Sequence, residues 1–233
     1  MIYVGTSGYS YKEWKGSFYP EKIPARDMLS YYASRLQAVE LNNTFYRLPQ
    51  KSMVESWKAQ VPDSFRFSVK ASQRITHFKR LKDVASETQF MLETVSALEE
   101  RLGVVLFQLP PNMKKDLERL EAFLKDLPSD TPAAFEFRHP TWFDDDVLAL
   151  LRSQNRALCV SDTDDLPTNH IDKTADWGYL RLRRVQYSES DLAEWLTRIG
   201  AQNWSKTFVF FKHEDEGTGP KLAAQFVELS KKT

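Results

Sequence analysis

The chain is short of the residues that build several familiar kinds of site. One cysteine, Cys159, stands among 233 residues, so no internal disulfide can form, and a lone thiol fits a reducing cytoplasm. Neither Cys-x-x-Cys nor His-x-x-x-His spacing is present, so no local motif announces a metal. Eight glycines leave little room for glycine-rich phosphate loops. Gly5-Thr6-Ser7-Gly8 is a turn, neither a dinucleotide fingerprint nor a nucleophile elbow. No apolar run approaches the roughly 20 residues of a membrane-spanning helix. Met1-Ile2-Tyr3-Val4-Gly5 lacks the basic and long apolar regions of a secretory signal. Neither charge sign dominates: Lys plus Arg and Asp plus Glu each number 32. That balance excludes a globally basic nucleic-acid binder and an acidic tail, but not a local patch.

What the chain does have is alternation. Val39-Glu40-Leu41-Asn42, Phe65-Arg66-Phe67-Ser68-Val69-Lys70, Phe135-Glu136-Phe137-Arg138 and Leu180-Arg181-Leu182-Arg183 each switch between apolar and polar at a period of two. That period describes a strand with two unlike faces. Helical spacing lies between the strands. Met91, Val95, Leu98 and Leu102 share a face of a helix read over Asp83 to Leu102, with Gly103 as its left-handed cap. Met113, Leu117, Leu120, Leu124 and Leu127 repeat the spacing. Asp144 and Ser188 are natural N-caps.

In order, strands are read at Ile2 to Thr6, Ala38 to Asn42, Phe65 to Lys70, Val104 to Gln108, Ala133 to Arg138, Ala157 to Asp162, Tyr179 to Arg183 and Thr207 to Lys212. Eight strands with interleaved helices predict an α/β fold, a TIM-like (β/α)8 barrel forming a single domain over residues 1–233, close to the usual ~250. Thr163 to Trp177 lacks helical periodicity, so the helix between strands six and seven is expected to be reduced or missing. An open doubly wound sheet is the alternative.

The strands carry recognisable phrases: Gly5-Thr6-Ser7-Gly8, Phe18-Tyr19-Pro20, Val39-Glu40-Leu41-Asn42 with Thr44-Phe45-Tyr46, Phe67-Ser68-Val69-Lys70, Ile75-Thr76-His77, Gln108-Leu109-Pro110-Pro111, and Glu136-Phe137-Arg138-His139-Pro140 with Trp142. Together, and in this order, they resemble the bacterial and archaeal family known as domain of unknown function 72, or YecE-like. The resemblance covers essentially the whole chain and implies a TIM-barrel-like fold; the family has no established activity to carry over. The chain departs from the commoner family pattern at Arg181-Leu182-Arg183-Arg184 and Phe211-Lys212-His213-Glu214, which points to a more basic pocket.

Active sites of parallel barrels lie at the C-terminal ends of the strands. Those ends place Glu40, Glu136 and Asp162 as candidate catalytic carboxylates. Asn42, Tyr46, Lys70, Gln108, Arg138, Arg181, Lys212 and His213 are candidate substrate-binding groups, with Ser7 and Arg183 at neighbouring strand ends. Parity puts Glu136 with Arg138, Glu40 with Asn42, and Arg181 with Arg183. Their cation surplus points to an anionic or phosphate-containing ligand. Salt bridges that merely fill a barrel are the bland alternative. His77, His139, His213 and the carboxylates also supply donors that a divalent metal accepts, from separate loops.

The expected function is an enzyme on a phosphate-containing or other anionic substrate, by hydrolysis, with or without a metal, or by isomerisation. The alternatives are a non-catalytic nucleic-acid or nucleotide binder, whose mouth aromatics stack bases, and an interaction scaffold in which Ser10 to Tyr19 forms an exposed aromatic contact. No membrane partner is expected, and the oligomeric state stays open.

Overall fold

Parallel strands whose apolar face is covered by helices must either form an open sheet or close, and this sheet closes. Strands β1 (Ile2–Ser7), β2 (Ala38–Leu41), β3 (Arg66–Lys70), β4 (Leu102–Gln108), β5 (Ala133–Glu136), β6 (Ala157–Asp162), β7 (Gly178–Leu182) and β8 (Thr207–Phe211) pair in sequence order. β8 then pairs with β1, Val4 opposite Val209. The computed structural model describes residues 1–168, 170–212 and 217–232.

Alternation along each strand separates the inside of the barrel from its helical coat. One parity supplies Val104, Leu106, Ala134, Cys159, Tyr179, Phe208 and Phe210, which cluster inside the barrel. The other parity faces helices. Phe107 and Phe135 pack on Leu120, Phe123 and Leu124 of α5 (Leu117–Asp126). Leu182 and Phe211 share a cluster with Leu192 and Trp195 of α7 (Glu189–Ala201) and Phe226 of α8 (Thr218–Ser230). The expected caps form: Asp144 accepts from Asp145 N at 2.9 Å. Ser188 Oγ accepts from Asp191 N at 3.1 Å, while Asp191 Oδ2 accepts from Ser188 N at 2.8 Å. These satisfy orphan donors at the helix starts.

The remaining coat runs α1 (Met28–Ala33), α2 (Asn43–Tyr46), α3 (Lys51–Ala59), α4 (Ala85–Val95) and α6 (Asp145–Ser153). No described helix lies between β6 and β7. There, side-chain bonds hold the irregular chain to the sheet: Thr174 Oγ1 donates to Arg156 O at 2.8 Å and accepts from Leu158 N at 2.7 Å. No helix among the described residues is long and apolar enough to cross a membrane.

Two expectations need correction. The helix read over Asp83 to Leu102 ends early: α4 stops at Val95, a 3-10 segment covers Ser96–Arg101 with Glu99 at φ 51°, and Leu102 already belongs to β4. Gly103 is therefore a strand residue, not a helix cap. A Cβ there would meet the Phe208 ring at 2.8 Å, so closing the barrel floor favours glycine. Ser10 to Tyr19 is also not an exposed aromatic contact. Trp14 is 0% and Tyr19 2% exposed, and Trp14, Phe18 and Tyr19 pack on one another beside Tyr31 and Tyr32. Large rings gain more from burial there than from solvent.

Candidate functional site: a charged cup at the strand ends

Inward parity at the C-terminal ends brings Ser7, Glu40, Ser68, Gln108, Glu136 and Arg181 out of solvent, all buried. Arg181 is the hub. Its Nη2 donates to Glu40 Oε1 at 2.8 Å and its Nη1 to Glu136 Oε2 at 2.6 Å. Glu40 Oε1 also accepts from Ser7 Oγ at 2.8 Å and Asn42 Nδ2 at 3.2 Å, and its Oε2 accepts from Tyr179 OH at 2.6 Å. Ser68 Oγ lies 2.7 Å from the same Tyr179 OH. At the rim, half-exposed Arg138 donates from Nε to Glu136 Oε1 at 3.3 Å.

The electrostatics follow from this wiring. Burial by itself raises the Glu40 and Glu136 pKa values. For Glu40 it is outweighed by Arg181, the Tyr179 hydroxyl and Arg183, and the carboxyl ends below its ordinary range. For Glu136 it is outweighed chiefly by Arg181 and Arg138, which bring it down to about 2. Both are therefore anions at neutral pH and weak bases. Lys70 moves the other way for a cation: burial, then Arg181, push its amine down to about 8 against the pull of Glu40 and Glu136. Its Nζ sits 4.2 Å from the Phe45 ring centroid. Burial and then Lys70 bring His77 down to about 4, so its ring is neutral at pH 7. That ring abuts Phe45 edge-on, with Nδ1 2.9 Å from Thr76 Oγ1. Burial, then Arg181, lowers the Arg183 pKa.

Two buried polar atoms of the cup have no partner among the described residues, Asn42 Oδ1 and Arg181 Nε, while the Gln108 amide is turned to Glu136 and helps to hold its carboxyl down. Unpartnered polar atoms are costly away from water.

The structure thus unites Glu40, Asn42, Lys70, Gln108, Glu136, Arg138 and Arg181. Tyr46 stands at the rim, 74% exposed, edge-on to Phe45. Lys212 is half-buried just after β8, its N–H on Leu182 O at 3.2 Å. His213 lies outside the described residues. Asp162 is placed apart. The last residues of β6 put Ser161 inward and Asp162 outward, where its carboxylate accepts from Arg184 Nε and Tyr187 OH, each at 2.8 Å, and Thr168 N at 3.0 Å. His139 turns to Thr141 on the outer side, its Nδ1 2.9 Å from Thr141 Oγ1. Tyr179 shares inward parity with Arg181 but is not among the residues its sequence pattern marks as a site, because a tyrosine beside Leu180 matches a packing residue equally well. Among the described residues no three His, Cys, Asp or Glu side chains are gathered to hold a metal ion, and both cup carboxylates are already engaged by Arg181.

A closed (β/α)8 barrel with an ionised cup at the C-terminal ends of its strands is a TIM-barrel protein. More closely, the chain belongs to the family described as "Protein of unknown function DUF72", whose model matches residues 3–233. It is 25% identical to the UPF0759 protein YunF of Bacillus subtilis over 228 residues, 93% of this chain and 80% of that one. It is 32% identical to the UPF0759 protein YecE of Escherichia coli over 144 residues, 61% of this chain and 50% of that one. A solved DUF72 family protein from Thermotoga maritima superposes with a TM-score of 0.82 at 29% identity, covering 99% of both chains. A D-psicose 3-epimerase from Clostridium cellulolyticum, crystallised with D-tagatose, shares the fold alone: TM-score 0.63 at 10% identity, covering 99% of this chain and 98% of that one.

Proposed function

We propose that this protein is a cytoplasmic enzyme acting on a small anionic substrate, carrying phosphate or a similar group, bound at the strand C-termini. One observation carries the reading. Arg181 is committed to two carboxylates, whereas Lys70 and Arg183 have no carboxylate in salt-bridge range among the described residues. Desolvated cations without an internal counter-ion favour an external anion. Arg183 and Arg138 offer planar forks suited to phosphate or carboxylate. Asn42 Oδ1 adds a spare acceptor. Glu40 and Glu136 serve as positioning residues that fix Arg181. Lys70, titrating near 8, is better matched to proton transfer at neutral pH than either depressed carboxylate. The donor set does not fit a three-ligand metal site, so no step is routed through one.

Calorimetric titration with inorganic phosphate and simple phosphate esters tests this. Wild type should bind, and Arg183→Ala should weaken binding about 10-fold, the loss of one charge-assisted contact. No heat with any phosphate compound would refute the reading. A second reading, a single-stranded nucleic-acid binder, is favoured by one observation. Tyr46 and Phe78 are 74% and 71% exposed at the ends of the short helical segments that follow β2 and β3, next to Arg47 and close to Arg80. Stacking there predicts oligonucleotide affinity that falls steeply with salt; affinity independent of salt would end it.

A further inference from the structure

We propose that Lys70 is a nucleophilic amine that condenses with the carbonyl carbon of the substrate, an aldehyde or ketone whose anionic group is held by Arg183 and Arg138. This deepens the function proposed above and rests on it. The geometry is that of an unpaired lysine in a crowd of cations. Lys70 ends β3 with inward parity. The Phe45 ring covers its ammonium at 4.2 Å, so one side is shielded from water without gaining an anion. Arg181 and Arg138 lie near enough to repel it, and Glu40 and Glu136, its nearest acidic neighbours in the cup, are spent on Arg181. A lysine beside other cations and out of water keeps more of its free-amine form at neutral pH, which is what nucleophilic attack requires.

In the step, the Nζ lone pair forms a bond to the carbonyl carbon and the π pair moves to oxygen. That oxygen takes the proton lost from nitrogen, giving a carbinolamine. A second proton on the hydroxyl lets the C–O bond break. Water leaves, and the nitrogen pair closes a protonated imine. Ammonium plus carbonyl thus gives iminium plus water, with no redox change and no further co-reactant.

The test uses dihydroxyacetone phosphate, a ketone carrying phosphate, with sodium borohydride to reduce any imine to a stable amine, read by peptide mass mapping. Lys70 should label at least about 10-fold faster than surface lysines, since its amine is free far more often near pH 7. Lys70→Arg should lose that adduct while its thermal melt stays cooperative and close to wild type, which shows that its fold is intact. Phosphate binding without a Lys70 adduct, or adducts spread over surface lysines, overturns the inference and leaves the anion site standing. Absence of both overturns the two together. Equal labelling by dihydroxyacetone overturns the anionic substrate class.

Discussion

Arg181 Nη2 donates to Glu40 Oε1 over 2.8 Å, joining residues 141 positions apart in the chain. With the 2.6 Å bond to Glu136 it spans the barrel mouth as a buried Glu–Arg–Glu triad. Removing one member of such a network leaves the others charged and dry. Arg181→Met should therefore lose about 3–5 kcal/mol of stability in denaturant unfolding. The triple variant that adds Glu40→Gln and Glu136→Gln should regain part of that loss, because the stranded anions are gone. A loss below about 1 kcal/mol in the single variant would mean the triad is solvated.

The same triad sets an acid limit. Glu136 titrates near 2 in the fold against an ordinary 4.5, and Glu40 is also held below its ordinary value. A carboxyl depressed by folding contributes stability that is fully present above its unfolded pKa and is lost as pH falls through the folded one. Melting temperature should therefore drop between about pH 4.5 and 2 as these groups protonate. Glu136→Gln should be less stable at neutral pH but shallower in that window, having one fewer proton to take up. An unchanged slope would assign the acid limb to other carboxylates.

Asp162 offers a contrast from the same end of the barrel. Its oxygens accept from Arg184 and Tyr187, tying β6 to the chain that follows β7, and from Thr168 in the segment between the two strands. Asp162→Asn removes the charge from these bonds and should lower stability by about 1–3 kcal/mol. Because it lies outside the cup network, phosphate affinity should stay within about twofold of wild type. A large loss of affinity with unchanged stability would return Asp162 to the site.

That contrast shows how far the sequence could be read. Glu40, Glu136 and Arg181 were legible because each sits between apolar neighbours at a period of two, and parity alone sent them inward. Asp162 follows Ser161 in a strand whose preceding residues, Ala157-Leu158-Cys159-Val160, are apolar on both faces, so parity gave no direction. Closure of the sheet came from strand count, but the register that places Gly103 under Phe208 is a three-dimensional fact. The helical spacing through Leu102 misled for the same reason: Leu102 and Leu98 pack at helical spacing, yet the left-handed Glu99 breaks the helix between them. Tyr179 was hidden because a tyrosine beside leucines reads as core. Only the fold shows its hydroxyl 2.6 Å from Glu40.

Lys70 carries the last prediction, which separates its service to function from its effect on stability. A lysine whose pKa falls on folding, here to about 8 from 10.5, is worse off protonated in the fold than in the unfolded chain. Its penalty is fully present below pH 8 and fades as pH rises towards 10.5, where both states are neutral. Lys70→Met keeps the stem beside Phe45 and removes the charge. The variant should gain about 1–2 kcal/mol at pH 7, and its advantage should shrink between about pH 8 and 10.5. Thermal melts of both proteins across that range decide it. A variant less stable than wild type at pH 7 would mean that the ammonium is held favourably by the Phe45 face, and the lysine would then be an anchor rather than a strained group poised for a ligand.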